Sequence, residues 1–410
     1  MEEKGFNKKA IHTKYIKDDP YGALSMPVYY SAAFEFESAE AMALAFTGQT
    51  ADFVYARISN PTVQQFENKV KNLTGAFSVT ALNSGMAAIS NTLITLAYAG
   101  SNIITSRHLF GNTYSFLDVT LAAFGVETRF CDLTKPEEIE KNIDENTCAV
   151  FLEIITNPQM EVVDLEQIAK LCKKKSIPLI ADTTIIPFCN FNAGKFGVDI
   201  ELVSSTKYIS GGATSVGGLI LDYGQFDWHQ SKKLKNLATQ HGNGSFTFKL
   251  KREIHRNLGA YMTPQVAYMQ SLGIETLDLR YKKSSETAGN LAKQLTELPL
   301  IESVNYPGLV SNSFYELSTK QFGENPGAML TFDLKSQAAC FQLLNHLKII
   351  KRATNLFDNK SLAIHPYSTI YGNFSQEAKE LMHISDKTIR LSVGLEDLED
   401  LLGDIAQAIR

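Results

Sequence analysis

Cysteine is scarce in this sequence of 410 residues, and long apolar runs are missing. The five cysteines are odd in number and show no Cys-x-x-Cys spacing, which argues against a disulfide framework and against a zinc site. No segment reaches the length of a membrane span without charged residues, so no membrane partner is expected. No apolar run follows the first residues either, and the sequence therefore predicts a cytoplasmic protein without a metal site.

A strong charge of one sign is also lacking. The net charge of -5 at pH 7 is small for this length, which disfavours a nucleic-acid surface. The glycine pairs 211–212 and 217–218 lack the Gly-x-Gly-x-x-Gly spacing of a dinucleotide site. What the chain does have is 44% hydrophobic residues, enough for more than one core, and we expect two domains.

The organisation of the chain falls into three regions. Residues 1–52 are rich in turn residues and aromatics and have no core of their own, so we expect an N-terminal arm that packs on another surface. Over residues 53–256, strand-like apolar runs alternate with helical stretches, which predicts an α/β domain with a mainly parallel sheet. Residues 257–410 contain a long helical stretch from 264 to 298 and a terminal helix from Leu395, which predicts a smaller α+β domain.

Lys207 lies among small hydroxyl residues and glycines, directly after an apolar strand-like run. A lysine that condenses with an aldehyde must be neutral part of the time, and burial lowers its pKa toward that range. The hydroxyl groups of Ser204 and Thr206 are suited to bind a phosphate. On its own this pattern is more typical of a solvated surface lysine, and its interpretation depends on other segments.

Other polar residues stand where apolar runs end or helices begin. Asp182 ends a buried run, and its carboxylate needs a partner such as a protonated pyridine nitrogen, or else caps the next turn. Ser84, Gly85 and Met86 open a helical stretch whose free N–H groups favour an anion, although Ser84 is also an ordinary N-cap. Arg390 lies inside an apolar run, where a guanidinium without an anion is costly.

The order of these motifs resembles one family. Residues 55–62, 84–86, 157–158, 182 and 204–208 are similar to the motifs of the pyridoxal-phosphate enzymes of cysteine and methionine metabolism, and the similarity runs nearly end to end. Residues 355–369 resemble the O-acetylhomoserine sulfhydrylase branch, because the cystathionine enzymes usually carry a serine where Asn355 stands. The resemblance implies an aspartate-aminotransferase-like fold and pyridoxal phosphate as cofactor.

The resemblance also implies roles for individual residues. Lys207 would bind the cofactor as a Schiff base and move protons, Asp182 would pair with the ring nitrogen, and Arg390 and Asn355 would bind the amino-acid substrate. Tyr55 and Arg57 would reach the phosphate from a neighbouring subunit, so that a homo-oligomer, a dimer of dimers, shares its active sites. The other implied cofactor contacts are Ser84, Gly85, Met86, Phe110, Asn157, Ser204 and Thr206.

Several departures from the family pattern bear on the substrate. Phe110 lacks the phenol that most members have there, so acid help to the leaving group would come from elsewhere, for example Tyr55. Thr183 replaces an asparagine, and residues 368–371 lack a histidine that is common in the sulfhydrylases. Asn112 occupies the place of a cysteine in the methionine γ-lyases.

We expect γ-replacement on O-acetyl-L-homoserine with sulfide or a small thiol, giving homocysteine or methionine and acetate. The alternatives are a methionine γ-lyase, a cystathionine γ-synthase or lyase, and, more remotely, a non-catalytic relative of the fold. Replacement and elimination share the species formed after the γ-group leaves, so the outcome depends on a small difference in barriers.

Overall fold

The computed structural model describes residues 5–13 and 21–409. Within these ranges, seven strands form a large sheet in the order β1-β7-β6-β5-β4-β2-β3. Strand β7 runs antiparallel to both of its neighbours, and the other four pairs are parallel, which confirms the predicted α/β class. The strands are β1 Ser78–Leu82, β2 Asn102–Thr105, β3 Glu127–Phe130, β4 Thr147–Glu153, β5 Leu179–Asp182, β6 Ile200–Val203 and β7 Gly218–Asp222.

A second, smaller sheet has the order β10-β11-β12-β9-β8 and lies within the region predicted as the C-terminal domain. The domain boundaries at 52/53 and 256/257 themselves remain predictions. The central strand of this smaller sheet, β12, carries Arg390, which pairs with Thr331 of β9. The strands are β8 Ser303–Asn305, β9 Met329–Asp333, β10 Lys351–Arg352, β11 Leu362–Ile364 and β12 Thr388–Ser392.

Helices cover the large sheet and flank the small one. In chain order they are α1 Phe6–His12, α2 Ala39–Thr47, α3 Pro61–Thr74, α4 Gly85–Leu96, α5 Gly111–Ser115, α6 Pro136–Asn142, α7 Leu165–Lys175, α8 Lys235–His241, α9 Ser245–Lys249, α10 Arg256–Leu258, α11 Pro264–Glu275, α12 Leu277–Leu295, α13 Tyr315–Phe322, α14 Gln337–His346, α15 Gln376–Leu381 and α16 Leu398–Ala408.

Two helix predictions need correction. The long stretch from 264 to 298 is two helices, α11 and α12, which meet at Thr276. The terminal helix begins at Leu398 and not at Leu395, because the residues before it bind a neighbouring loop. The backbone N–H of Leu395 donates to Asn359, and Glu396 accepts hydrogen bonds from both the backbone and the hydroxyl of Ser361.

The described part of the N-terminal arm is unusually exposed. Tyr21, Leu24 and Tyr30 present large apolar side chains to solvent, with exposed fractions of 94%, 95% and 71%. Helix α2 buries only Ala45. Exposed apolar groups at this density are typical of interaction surfaces. The arm itself stays a prediction, and its residues 1–4 and 14–20 lie outside the described residues.

Two further observations concern the cysteines and membrane-spanning helices. All five cysteines are free thiols, as predicted. Across residues 5–13 and 21–409, no helix combines the length and the apolar character that crossing a membrane requires.

Asp404 of α16 fixes the segment that leads to residue Asn355. Its carboxylate accepts hydrogen bonds of 2.9 Å from the backbone N–H groups of Lys348, Ile349 and Ile350. Burial acts to raise the pKa of Asp404, but these donors outweigh it, and the pKa is lowered. The ionised carboxylate therefore stabilises the fold above about pH 4, and this contribution is lost as the pH falls through its lowered pKa.

We predict that Asp404→Ala lowers the free energy of unfolding by about 3 kcal/mol at pH 7, because three donors lose their acceptor. Thermal unfolding of the cofactor-loaded protein measures the effect. Asp400→Ala, which removes an exposed carboxylate from the same helix, should cost less than about 1 kcal/mol. Equal effects of the two substitutions at pH 7 would contradict this anchoring role.

Candidate active site

A cavity of about 630 Å³ opens at the edge of the large sheet where β4, β5 and β6 end, facing β12 of the small sheet. Eleven of the thirteen residues predicted for the site line it, although they come from segments scattered along the whole sequence. They are Ser84, Gly85, Met86, Phe110, Asn157, Asp182, Ser204, Thr206, Lys207, Asn355 and Arg390.

Lys207 lies four residues after the end of β6, and its amino group reaches across the cavity to the small-sheet side. Its Nζ donates to Oδ1 of Asn355 over 2.6 Å. Two residues further on, Phe357 stacks on the ring of Tyr208 with centroids 4.3 Å apart, which fastens the Asn355 loop to the lysine segment. Asn355 is thus a partner of the lysine, a contact that the sequence did not predict.

The environment of Lys207 disfavours its charged form. Burial, and then the positive charge of Arg390, lower the pKa of Lys207 to about 8, although the carboxylate of Asp182 acts in the opposite direction. An amine with this pKa is partly neutral near physiological pH. The lysine therefore has the property that attack on an aldehyde requires.

Asp182 ends β5 at the floor of the cavity. One of its oxygens accepts the backbone N–H of Thr184 over 2.9 Å. Burial raises the pKa of Asp182 even though the hydrogen bonds from Thr184 and the charge of Lys207 oppose it. Asp182 therefore caps the following turn, as one interpretation of the sequence had it, and it also lines the cavity, whereas its pairing with a ring nitrogen stays a prediction.

Glu153 is a cavity residue that the sequence analysis missed. It ends β4 directly beside Asp182, with which it pairs in the sheet register, and it accepts the backbone N–H of Phe110 over 2.8 Å. Burial, and then the charge of Asp182, raise the pKa of Glu153 to about 8. The available signal was the same as for Asp182, namely an acidic residue that closes an apolar run.

Behind Asp182 lies a third buried carboxylate, Glu201 of β6, which does not line the cavity. The hydroxyls of Thr183 and Tyr223 each donate to one of its oxygens over 2.5 Å. Burial raises the pKa of Glu201 to about 7. The hydrogen bond from Thr183 explains why a threonine is suited to this position, since its hydroxyl gives the buried Glu201 a donor.

The N-terminus of α4 forms an anion cradle. Ser84 caps the helix through Ala87, while the first N–H groups of a helix have no partner within it. Gly85 packs tightly on Ser204, because a β-carbon at Gly85 would lie 2.8 Å from the β-carbon of Ser204. Thr206 lines the cavity, and its hydroxyl exchanges hydrogen bonds of 3.0 and 3.2 Å with Gly217, which braces the loop; its contact with a phosphate stays a prediction.

Arg390 forms the opposite wall and is 2% exposed. Its guanidinium donates to Oδ1 of Asn157 over 3.2 Å and to the carbonyl of Thr354 over 2.9 Å. Its Nε is buried without a hydrogen-bond partner among the described residues. Burial lowers the pKa of Arg390 to about 10, and a carboxylate bound beside the guanidinium would offset the cost of burying its charge.

Tyr55 and Arg57 do not join the other site residues of their own chain. Tyr55 is 44% exposed, and Arg57 lies over its ring with Cζ 5.6 Å from the ring centroid. The guanidinium of Arg57 donates to the carbonyl of Arg256. Within one chain, then, the cavity has its lysine, its acidic residues and its anion cradle, but it lacks these two predicted phosphate ligands.

These groups fit pyridoxal phosphate. The α4 cradle suits its phosphate, Asp182 suits a protonated ring nitrogen, the ring of Phe110 offers a stacking face, and Lys207 suits its aldehyde. The unpaired Nε of Arg390 suits the carboxylate of an amino acid bound beside it.

Comparisons with known proteins agree with this reading. The pattern of the Cys/Met metabolism PLP-dependent enzymes matches residues 7–410. An O-acetylhomoserine sulfhydrylase of Wolinella succinogenes is 44% identical, with a TM-score of 0.77 over 86% of this chain and 98% of that one. A candidate O-acetylhomoserine (thiol)-lyase of Campylobacter jejuni, whose structure contains N'-pyridoxyl-lysine-5'-monophosphate, is 33% identical, with a TM-score of 0.92 over 99% of both chains.

The relatives also include a second activity. An L-methionine γ-lyase of Fusobacterium nucleatum is 33% identical over 100% of this chain and 99% of its own. The match over nearly the whole sequence confirms the resemblance, and with it the fold class and the cofactor. The chain belongs to the pyridoxal-phosphate-dependent enzymes of cysteine and methionine metabolism.

Proposed function

We propose that this enzyme catalyses γ-replacement on O-acetyl-L-homoserine with sulfide or a small thiol, giving homocysteine or methionine and acetate. The observation that carries the proposal is the 2.6 Å contact of Asn355 with Lys207, because Asn355 distinguishes the sulfhydrylase branch from the cystathionine enzymes. Asn112, which lines the cavity where the methionine γ-lyases have a cysteine, supports the same branch. A methionine γ-lyase remains the alternative, since a relative with that activity is 33% identical.

The roles of the side chains follow from their positions. When bound, the cofactor supplies the electron sink that makes a proton at Cα of the amino acid acidic. Arg390 binds the substrate carboxylate through its free Nε, and Asp182 keeps a proton on the ring nitrogen that it faces. Lys207, with its lowered pKa, accepts the Cα proton and returns it at a neighbouring carbon.

Much of the cavity lining is apolar. Such a wall excludes water and accommodates alkyl and sulfur groups, which supports a thiol or sulfide as the second substrate. Phe110 has no phenol to protonate a leaving group, and the proposed donor is Tyr55 of a neighbouring subunit. The apolar lining residues are Ile89, Ile155, Ile185, Val216, Leu356 and Ile370.

We also propose that the active sites are shared between subunits of a cytoplasmic dimer of dimers. The position of Tyr55 and Arg57 outside their own cavity supports this arrangement, as does the exposed apolar surface of the arm that precedes them. Each arm would cover a neighbour, and Tyr55 and Arg57 of the segment that follows the arm would supply two phosphate ligands there.

We predict that the enzyme forms homocysteine from O-acetyl-L-homoserine and sulfide at least about tenfold faster than it forms 2-oxobutanoate from methionine. A difference of about 1.4 kcal/mol between the two barriers is enough for this ratio. Homocysteine is assayed in one reaction, and 2-oxobutanoate and methanethiol in the other. Asn112→Cys tests the branch residue and should shift the ratio toward elimination. Faster, sulfide-independent release of 2-oxobutanoate from methionine would identify a lyase.

We predict that covalent loading of the apoenzyme with pyridoxal phosphate speeds up as the pH rises, with an inflection near pH 8, because only the neutral amine of Lys207 attacks the aldehyde. The growth of the visible absorbance band at saturating cofactor measures this rate. Arg390→Gln removes a positive charge and should move the inflection to higher pH, whereas Arg352→Gln, outside the cavity, should leave it unchanged. An inflection near pH 10 would show an ordinary, solvated lysine.

We predict that mixed oligomers of Arg57→Ala and Lys207→Ala chains recover about a quarter of the wild-type activity. Random assortment makes half of the dimers mixed, and each mixed dimer has one intact site if Arg57 acts on its neighbour. A mixture of Arg57→Ala and Tyr55→Ala chains is the control and should not recover, because the same neighbouring chain would supply both residues and every site would lack one of them. No recovery in the first mixture, with subunit exchange verified by mass spectrometry, counts against shared sites.

A further inference from the structure

Tyr371 is a fully buried residue of the small-sheet side whose hydroxyl contacts two backbone carbonyls at once. Its oxygen lies 2.9 Å from the carbonyl of Leu109 and 3.1 Å from that of Asn157, at sequence separations of 262 and 214 residues. A phenol has a single hydrogen, so the two carbonyls share one donor. Burial, and then the charge of Glu153, raise the pKa of Tyr371, and the hydroxyl keeps its proton at physiological pH.

Both carbonyls belong to segments that carry site residues. Leu109 precedes Phe110, whose backbone N–H is held by Glu153, and the amide side chain of Asn157 holds Arg390. The hydroxyl of Tyr371 therefore connects the segment of Phe110 with the segment of Asn157, which in turn orients Arg390.

The packing around Tyr371 leaves little room for adjustment. A β-carbon at Gly111 would lie 3.1 Å from Cγ2 of Ile370 and 3.5 Å from the ring of Tyr371. Ile370 and Thr369 line the cavity, but Tyr371 does not. Its phenol is out of reach of a substrate, and it cannot replace the phenol that Phe110 lacks.

We propose that Tyr371 is a positioning residue whose buried hydroxyl sets the placement of Phe110 relative to Asn157 and, through Asn157, relative to Arg390. The roles of Phe110 and Arg390 in this inference rest on the proposed function. Loss of the hydroxyl would leave two buried carbonyls without their donor, and the two segments would move apart or tilt.

The test is Tyr371→Phe in the cofactor-loaded enzyme. We expect the visible circular dichroism of the bound cofactor to fall to less than about half of the wild-type intensity, because the ring face of Phe110 is no longer fixed. The KM for the amino-acid substrate should rise about tenfold, equivalent to about 1.4 kcal/mol, while kcat changes less than about threefold. The first measurement needs no amino-acid substrate, so it tests Tyr371 even if the proposed reaction is wrong.

Tyr367→Phe is the matched control. It removes a hydroxyl from the same segment, where that hydroxyl donates to Gln376 at the surface, and it should leave the dichroism and KM unchanged. Wild-type values of both quantities in Tyr371→Phe would overturn the proposal, as would losses that merely follow the unfolded fraction in thermal melts.

A second variant keeps the proposal testable if Tyr371→Phe does not fold. Tyr371→His keeps a hydrogen-bond donor on an aromatic ring at this position. Dichroism and KM within about twofold of wild type in this variant support a role of the donor. A loss of both in the fully folded histidine variant overturns it.

Discussion

The parallel register of β4, β5 and β6 is the constraint on which the rest of the site depends. In this register Glu153 of β4 lies beside Asp182 of β5. Asp182 in turn lies beside Leu202 of β6, and the loop that leads to Lys207 begins two residues after Leu202. Because side chains alternate between the faces of a sheet, a slip by one residue would turn Asp182 away from the cavity. The apolar residues of these strands, which are buried on both faces, fix the register and thereby place the acidic groups.

Electrostatics at this sheet edge follow from the same burial. The pKa values of Glu153 and Asp182 are raised, and those of Lys207 and Arg390 are lowered, so every ionisable group shifts toward its neutral form. A ligand that places positive charge beside the acidic residues and negative charge beside the basic ones would stabilise the charged forms of all four groups. Pyridoxal phosphate and an amino acid together have that distribution.

Much of this site could be predicted from the sequence, because the ends of strands and the starts of helices can be recognised from neighbouring residues. Asp182 closes an apolar run, and Ser84 precedes a periodic helical stretch, so both were found. Contacts between distant segments have no such local signal. The bond from Lys207 to Asn355 and the bridge made by Tyr371 depend on how the two sheets face each other, and the exclusion of Tyr55 from its own cavity depends on the path of the arm.

Three carboxylates, those of Glu153, Asp182 and Glu201, stand on three adjacent strands, and the charge of Asp182 raises the pKa of the other two. A protonated ring nitrogen beside Asp182 relieves this repulsion, so the cofactor acts as a counter-ion of the fold as well as a reagent. A ligand that binds only the native state stabilises it in proportion to the logarithm of its concentration. Binding of pyridoxal phosphate is therefore expected to raise the free energy of unfolding of this chain and its melting temperature.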